Sequence, residues 1–211
     1  MKIGDLAAMW VKFVECCLVA FAVINIYNSL ILYLISSKFE KAVQMLNYMT
    51  LFNMILVITC VIFGLTYPIV WHIKEKSGKI LSTSRHVFLL AVIRFWLATM
   101  ICSYAFAKIV GTQFSQDVVR NNSLIKDLSG FSLTWFYFGY SYPFSVTIAL
   151  IQLTGAILLI FRKSVFLGVC ILLPIMLNIV LINFFYKISD VAEVNAIIFS
   201  IALLFVYTGS W

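Results

Sequence analysis

Three charged residues stand inside runs that are otherwise apolar: Lys12 and Glu15 in "MWVKFVECCLVA" and Arg94 in "LLAVIRFWLATM". An ionised side chain in hydrocarbon is costly, so it faces a partner or a wet cavity, or else snorkels to the interface. Arg94 lies about two helical turns from the Arg85–His86 end of its run, and Glu15 sits at comparable depth in the first run. With both helices running in the same direction, these positions predict a Glu15–Arg94 pair. Its chemistry would be electrostatic, either a structural ion pair or the charged wall of a ligand cavity.

A second set of polar residues is uncharged. Gln152 and Gly155 lie about one turn apart on one face, where glycine lets another helix come close. Pro174 removes a helical hydrogen bond near Cys170, and Asn178 follows on the same face. Asn183 lies further along that run, and Asn25, Asn28 and Asn53 sit in earlier ones. Amides in such places are expected to bond between helices at about 1 kcal/mol each. The functional reading beside it is a pocket at Gln152, Gly155, Asn178 and Asn183.

No catalytic constellation is predicted. His72 and His86 flank one loop, without an acid and a nucleophile at credible spacing. The eight acids are scattered, and the five cysteines form no C-x-x-C. No metal site is therefore expected.

The elements that must position these residues are helices in a membrane. The chain is 64% hydrophobic and 11% charged, with a mean hydropathy of +1.07. A soluble domain carries about 25% charged residues, so this chain has too few to cover a water-facing surface. Its apolar runs are unbroken rather than alternating, which selects helices over a barrel. Six spans are expected, at about Val11–Ser36, Met49–Trp71, Val87–Ala107, Phe144–Phe161, Val165–Tyr186 and Val191–Tyr207. The net charge of +7 sits between spans, where it sets topology and meets lipid headgroups. It forms no basic run with stacking aromatics, so nucleic acid is not an expected partner.

The basic loop "HIKEKSGKILSTSRH" places both termini on the cytoplasmic side, and the first run is expected to be a retained span. "NNS" at Asn121 fits a glycosylation acceptor pattern. The long connection from Lys108 to Tyr142 then lies outside and holds "SGFSLTWFYFGYSYPF". Trp135, Tyr137, Tyr140 and Tyr142 are expected at the headgroup level, as an interfacial belt or as a lid or partner surface. Ser141, Tyr142 and Pro143 supply an extended entry and a first-turn proline for the fourth span.

The stretch "AVIRFWLATMICSYAFAKIVGTQF", with Arg94, Ala105 and Lys108, resembles the opening of DoxX-like membrane proteins. "LIKDLSGFSLTWFYFGYS" and the run from Ala149 to Tyr186, with Gln152, Gly155 and Gly168, resemble the rest of that pattern in a subgroup common in Bacteroidetes-type bacteria. Ala105 stands where glycine is frequent in the family. The resemblance implies an all-α polytopic bundle, with a DoxX-like four-helix core at residues 87–211 and two added transmembrane helices at residues 1–86. It also implies a bacterial inner-membrane setting. The expected function is that of a non-enzymatic membrane subunit working through protein partners, a second copy of itself, or a bound lipid or quinone. A subunit of a quinone-linked redox complex, an immunity or defence protein and a small-solute or lipid transporter stay open beside it.

Overall fold

The computed structural model describes residues 3–36, 40–79, 82–114 and 128–209. It contains α1 (Ile3–Ser36), α2 (Glu40–Lys76), α3 (Ser82–Ile109), α4 (Gly130–Gly139), α5 (Tyr142–Ile160), α6 (Val165–Tyr186) and α7 (Asp190–Gly209), with no strand among the described residues. Six of these helices are long and apolar enough to cross a membrane. The chain is an all-α, multi-pass helical membrane protein. The exception is α4, whose ten residues reach about 15 Å, half the thickness of a hydrocarbon core. The "NNS" triplet at Asn121 lies outside the described residues.

The chain forms two compact units, Met1–Trp96 and Leu97–Trp211. The division falls within α3. In the first unit α1 packs along α2, and Trp96 ties the first half of α3 to α1. Its ring meets Phe21 edge-on at 5.8 Å, and its indole N–H donates to Asn25 Oδ1 at 3.3 Å. The turn after α2 closes by Gly78 donating to Glu75 and Lys79 donating to Lys74, with Gly78 at a φ of +69°.

In the second unit α5 packs on α6 and α6 on α7, while α4 leans on α5 and α6. The α5–α6 contact depends on two glycines. A Cβ on Gly155 would sit 2.6 Å from Leu172 Cγ, and one on Gly168 would sit 2.9 Å from the Gly155 carbonyl oxygen. Without a hydrophobic drive between helices in lipid, such close packing is the main attraction available. The entry to α5 is as the sequence predicts: Ser141 is extended at φ −121°, ψ 104°, and proline stands in the first turn.

This packing generates a prediction. Gly168→Ala presses on backbone and should cost about 1–3 kcal/mol. Gly155→Ala presses on a side chain, so Leu172→Ala should relieve it. A double-mutant cycle followed by unfolding in detergent should give favourable coupling for Gly155/Leu172 and none for Gly168/Leu172. Equal coupling in both cycles would contradict the packing described.

Candidate functional site

The first unit gathers its charges at one end. Lys12 and Glu15 lie one turn apart on α1. Lys12 Nζ pairs with Glu75 at the end of α2 and lies 5.3 Å from the Trp71 ring centre. Glu15 is fully buried, and its Oε2 lies 2.8 Å from Nδ1 of His86 on α3. Trp71 donates to Ser82 Oγ at 2.8 Å, and Arg85 donates to the Tyr67 hydroxyl. Three helices are therefore cross-linked by polar contacts, in surroundings where an unmatched charge is costly.

The predicted Glu15–Arg94 pair does not form. Glu15 meets His86, and Arg94 lies about 12 Å further along α3 than His86. Arg94 instead sits with its guanidinium 5.6 Å from the Phe95 ring centre. The partner set of Lys12, Glu75 and His86 was missed. Its signal was present as two matching spacings, Lys12-x-x-Glu15 and His72-x-x-Glu75, each of which places both residues on one helix face. His72 keeps both ring nitrogens buried without a hydrogen bond.

The second unit carries a cap built on the end of α3, on α4 and on the start of α5. Ser129 caps α4 by accepting from the Ser132 amide at 3.1 Å. The aromatic stretch divides between the two sides of this helix. Trp135 stacks on Phe131 at 4.0 Å and meets Phe114 edge-on at 5.1 Å, and Phe138 stacks on Phe114 at 4.9 Å. Tyr137 and Tyr140 point outward, at 62% and 74% exposure. Phe114 itself is held in the left-handed region at φ 62°, a conformation that a bulky residue keeps only when its surroundings impose it. Gly139 makes room for it, since a Cβ there would stand 2.8 Å from the Phe114 carbonyl oxygen.

Two hollows flank this cap. One, of about 150 Å³, is lined by Lys108, Gly111, Gln113, Phe114, Gly139, Tyr142 and Ser145. The other is a shallow groove of about 660 Å³ along Leu133, Phe136, Tyr137, Tyr140, Ser141 and Phe144. Tyr142 donates to the Ile109 carbonyl at 2.9 Å, and Ser145 donates to the Phe138 carbonyl, which pins α5 to α3 and α4. The arrangement can hold a small polar group beside an apolar chain. It brings no nucleophile to a base.

The uncharacterized protein YwoB of Bacillus subtilis (strain 168) is 31% identical over 117 residues, covering 56% of this chain and 74% of that protein. The chain belongs to the YwoB family. No family model matches it, and no solved structure matches it. In this YwoB-like chain the amide set separates. Gln152, Gly155 and Asn183 are buried, while Asn178 is exposed. Asn183 donates to the Ile179 carbonyl at 2.8 Å, within its own helix. The carbonyl oxygens of Gln152 and Asn183 stay buried without a donor.

Two predictions follow from these placements. His86→Leu strands a buried carboxylate and should cost about 1–4 kcal/mol, between the exposed and buried limits for a pair. Glu15→Leu added to it should recover part of that loss, whereas Arg94→Leu should show no coupling to Glu15. Denaturation in detergent of the three single variants and the two double variants that include Glu15→Leu reads this directly. On the cap, Trp135→Ala should cost about 1–3 kcal/mol by losing ring contacts, and Tyr140→Ala should stay within about 0.5 kcal/mol. The reverse order in thermal unfolding would mean that Tyr140, not Trp135, holds the cap.

Proposed function

We propose that the chain is a non-enzymatic protein of the bacterial inner membrane that holds a lipid-like amphiphile at the aromatic cap and serves there as a membrane subunit. The observation that carries this reading is the groove of about 660 Å³ beside α4 and the start of α5. Its walls are Leu133 and the rings of Phe136 and Phe144, and its polar margin is Tyr137, Tyr140 and Ser141. An acyl or isoprenoid chain suits the walls, because it trades mobile lipid neighbours for closely packed rings. A tyrosine with an apolar ring and a wet hydroxyl suits the margin at the headgroup level.

On this reading the cap faces outward and the N-terminus lies in the cytoplasm, a placement supported by Lys74 and Lys76 in the last turn of α2, Lys79 after it and Arg85 near the start of α3. The DoxX-like arrangement is part of the same proposal. It rests on Arg94, Ala105 and Lys108 and on the Gln152/Gly155 face, and a protein partner or second copy would meet the amphiphile-loaded cap.

Native mass spectrometry of the chain extracted in a mild neutral detergent tests the proposal. Wild type should retain lipid. The Tyr137→Ala/Tyr140→Ala variant should hold about tenfold less, equivalent to about 1.4 kcal/mol, with its helix content unchanged. A wild-type protein stripped of lipid as readily as the double variant would rule the reading out.

A further inference from the structure

Lys108 is a charge left unmatched among the described residues. It lies in the last turn of α3 and is 6% exposed. Its ammonium donates to the Tyr104 carbonyl at 3.3 Å and lies 5.8 Å from the Phe114 ring centre. No carboxylate among the described residues pairs with it. By contrast, Lys12, equally buried in the first unit, has Glu75. A carbonyl and a ring face offset only part of the cost of withdrawing an ammonium from water, and Lys108 lines the 150 Å³ hollow.

Two further features point the same way. The hollow is also lined by Tyr142 and Ser145, in the first turn of α5, and Ser141 gives that turn no side-chain cap. Pro143 has no N–H and the Ser145 amide donates to the Ser141 carbonyl, so this helix start offers an anion the Tyr142 amide and the positive end of the dipole. Gln113 lines the same hollow, and its Oε1 is buried without a donor. The side chains thus offer a cation and an acceptor. Tyr142 and Ser145 have already spent their hydroxyl protons on Ile109 and Phe138.

We propose that the Lys108 hollow binds an oxyanion, a phosphate ester or carboxylate, that also carries a hydroxyl for Gln113. A cavity of this size holds about five water-sized volumes, enough for a phosphate and a short polyol stub. A neutral quinone ring would leave the Lys108 charge uncompensated, so the charge separates the two amphiphile classes. The groove along Tyr137 and Tyr140 shares the Ser141–Phe144 segment with this hollow, so an anionic phospholipid can place its head in one and a chain in the other. That lipid source rests on the amphiphile reading above, while the oxyanion site stands without it.

The test uses the full chain in neutral detergent, with two arms. In the first, native mass spectrometry compares phosphatidylglycerol with phosphatidylcholine of identical chains. Wild type should prefer phosphatidylglycerol by about tenfold, the worth of one charge-assisted hydrogen bond. Both lipids carry a phosphodiester, but only phosphatidylglycerol keeps a net negative charge, so Lys108→Met should lower phosphatidylglycerol retention the more and bring that ratio near one, and Lys108→Arg should keep the preference. Gln113→Leu should reduce phosphatidylglycerol relative to phosphatidic acid, which lacks the glycerol hydroxyls. In the second arm, inorganic phosphate should raise the unfolding temperature of wild type and not of Lys108→Met. A phosphate effect without lipid preference would keep the oxyanion site and remove its lipid source. Loss of phosphatidylcholine retention alone would sink the groove reading and leave this one intact. No headgroup preference and no phosphate effect in wild type, or the same values in Lys108→Met and Lys108→Arg as in wild type, would overturn the proposal.

Discussion

A charge withdrawn into hydrocarbon must find an opposite charge or a polar cage, and the organisation of both units turns on that constraint. The desolvation penalty for one ion amounts to several kcal/mol even after relaxation. In the first unit it is met by pairing across helices: Lys12 with Glu75, and Glu15 with His86. Each pair joins residues far apart in sequence, so each also fixes which helix faces meet. Lipid supplies no hydrophobic force to choose those faces. The paired end of the first unit therefore specifies register as well as stability.

The second unit solves the same problem of helix recognition with shape instead of charge. Gly155 and Gly168 let α5 and α6 approach until side chain meets backbone. Dispersion between closely packed atoms then replaces the missing hydrophobic drive. A hairpin fixed this closely has little slack, and α4 is seated on α5 and α6. Beside this hairpin Phe114 is held at φ 62° with its ring against Trp135 and Phe138. Strain of that kind persists only on a firm base.

The spans were legible in the sequence because hydropathy acts over a whole run and needs no knowledge of neighbours. The start of α5 was legible because Ser141 and Pro143 act locally on the backbone. The Glu15 partner was not legible in the same way. Depth was counted from the ends of apolar runs, and α3 starts at Ser82, so His86 lies inside the helix and at the level of Glu15. The helical state of residues 130–139 was obscured by Gly139, which reads as a breaker but serves as the space for the Phe114 carbonyl. Asn178 fell on the exposed side because periodicity tells which residues share a face and not which face is covered. The part Lys108 plays in a cavity depends on Gln113 and Gly139, which no spacing rule joins to it.

The contrast between the two buried lysines carries the functional argument furthest. Lys12 and Lys108 are 5% and 6% exposed. If burial of lysine were only a by-product of packing long side chains, both would be expected to find the nearest acid or to snorkel outward. Lys12 does find an acid. Among the described residues Lys108 does neither: it stays inside, beside a helix start without a side-chain cap, an acceptor without a donor and a hollow. Helix-end electrostatics explains a lysine near the last turn of α3 but not one withdrawn from water, since the favourable interaction there is at most about 1–2 kcal/mol and the desolvation cost is larger. The balance would close with an anion in the hollow, and the apolar groove beside it is what favours a membrane amphiphile as the carrier of that anion in the proposed reading.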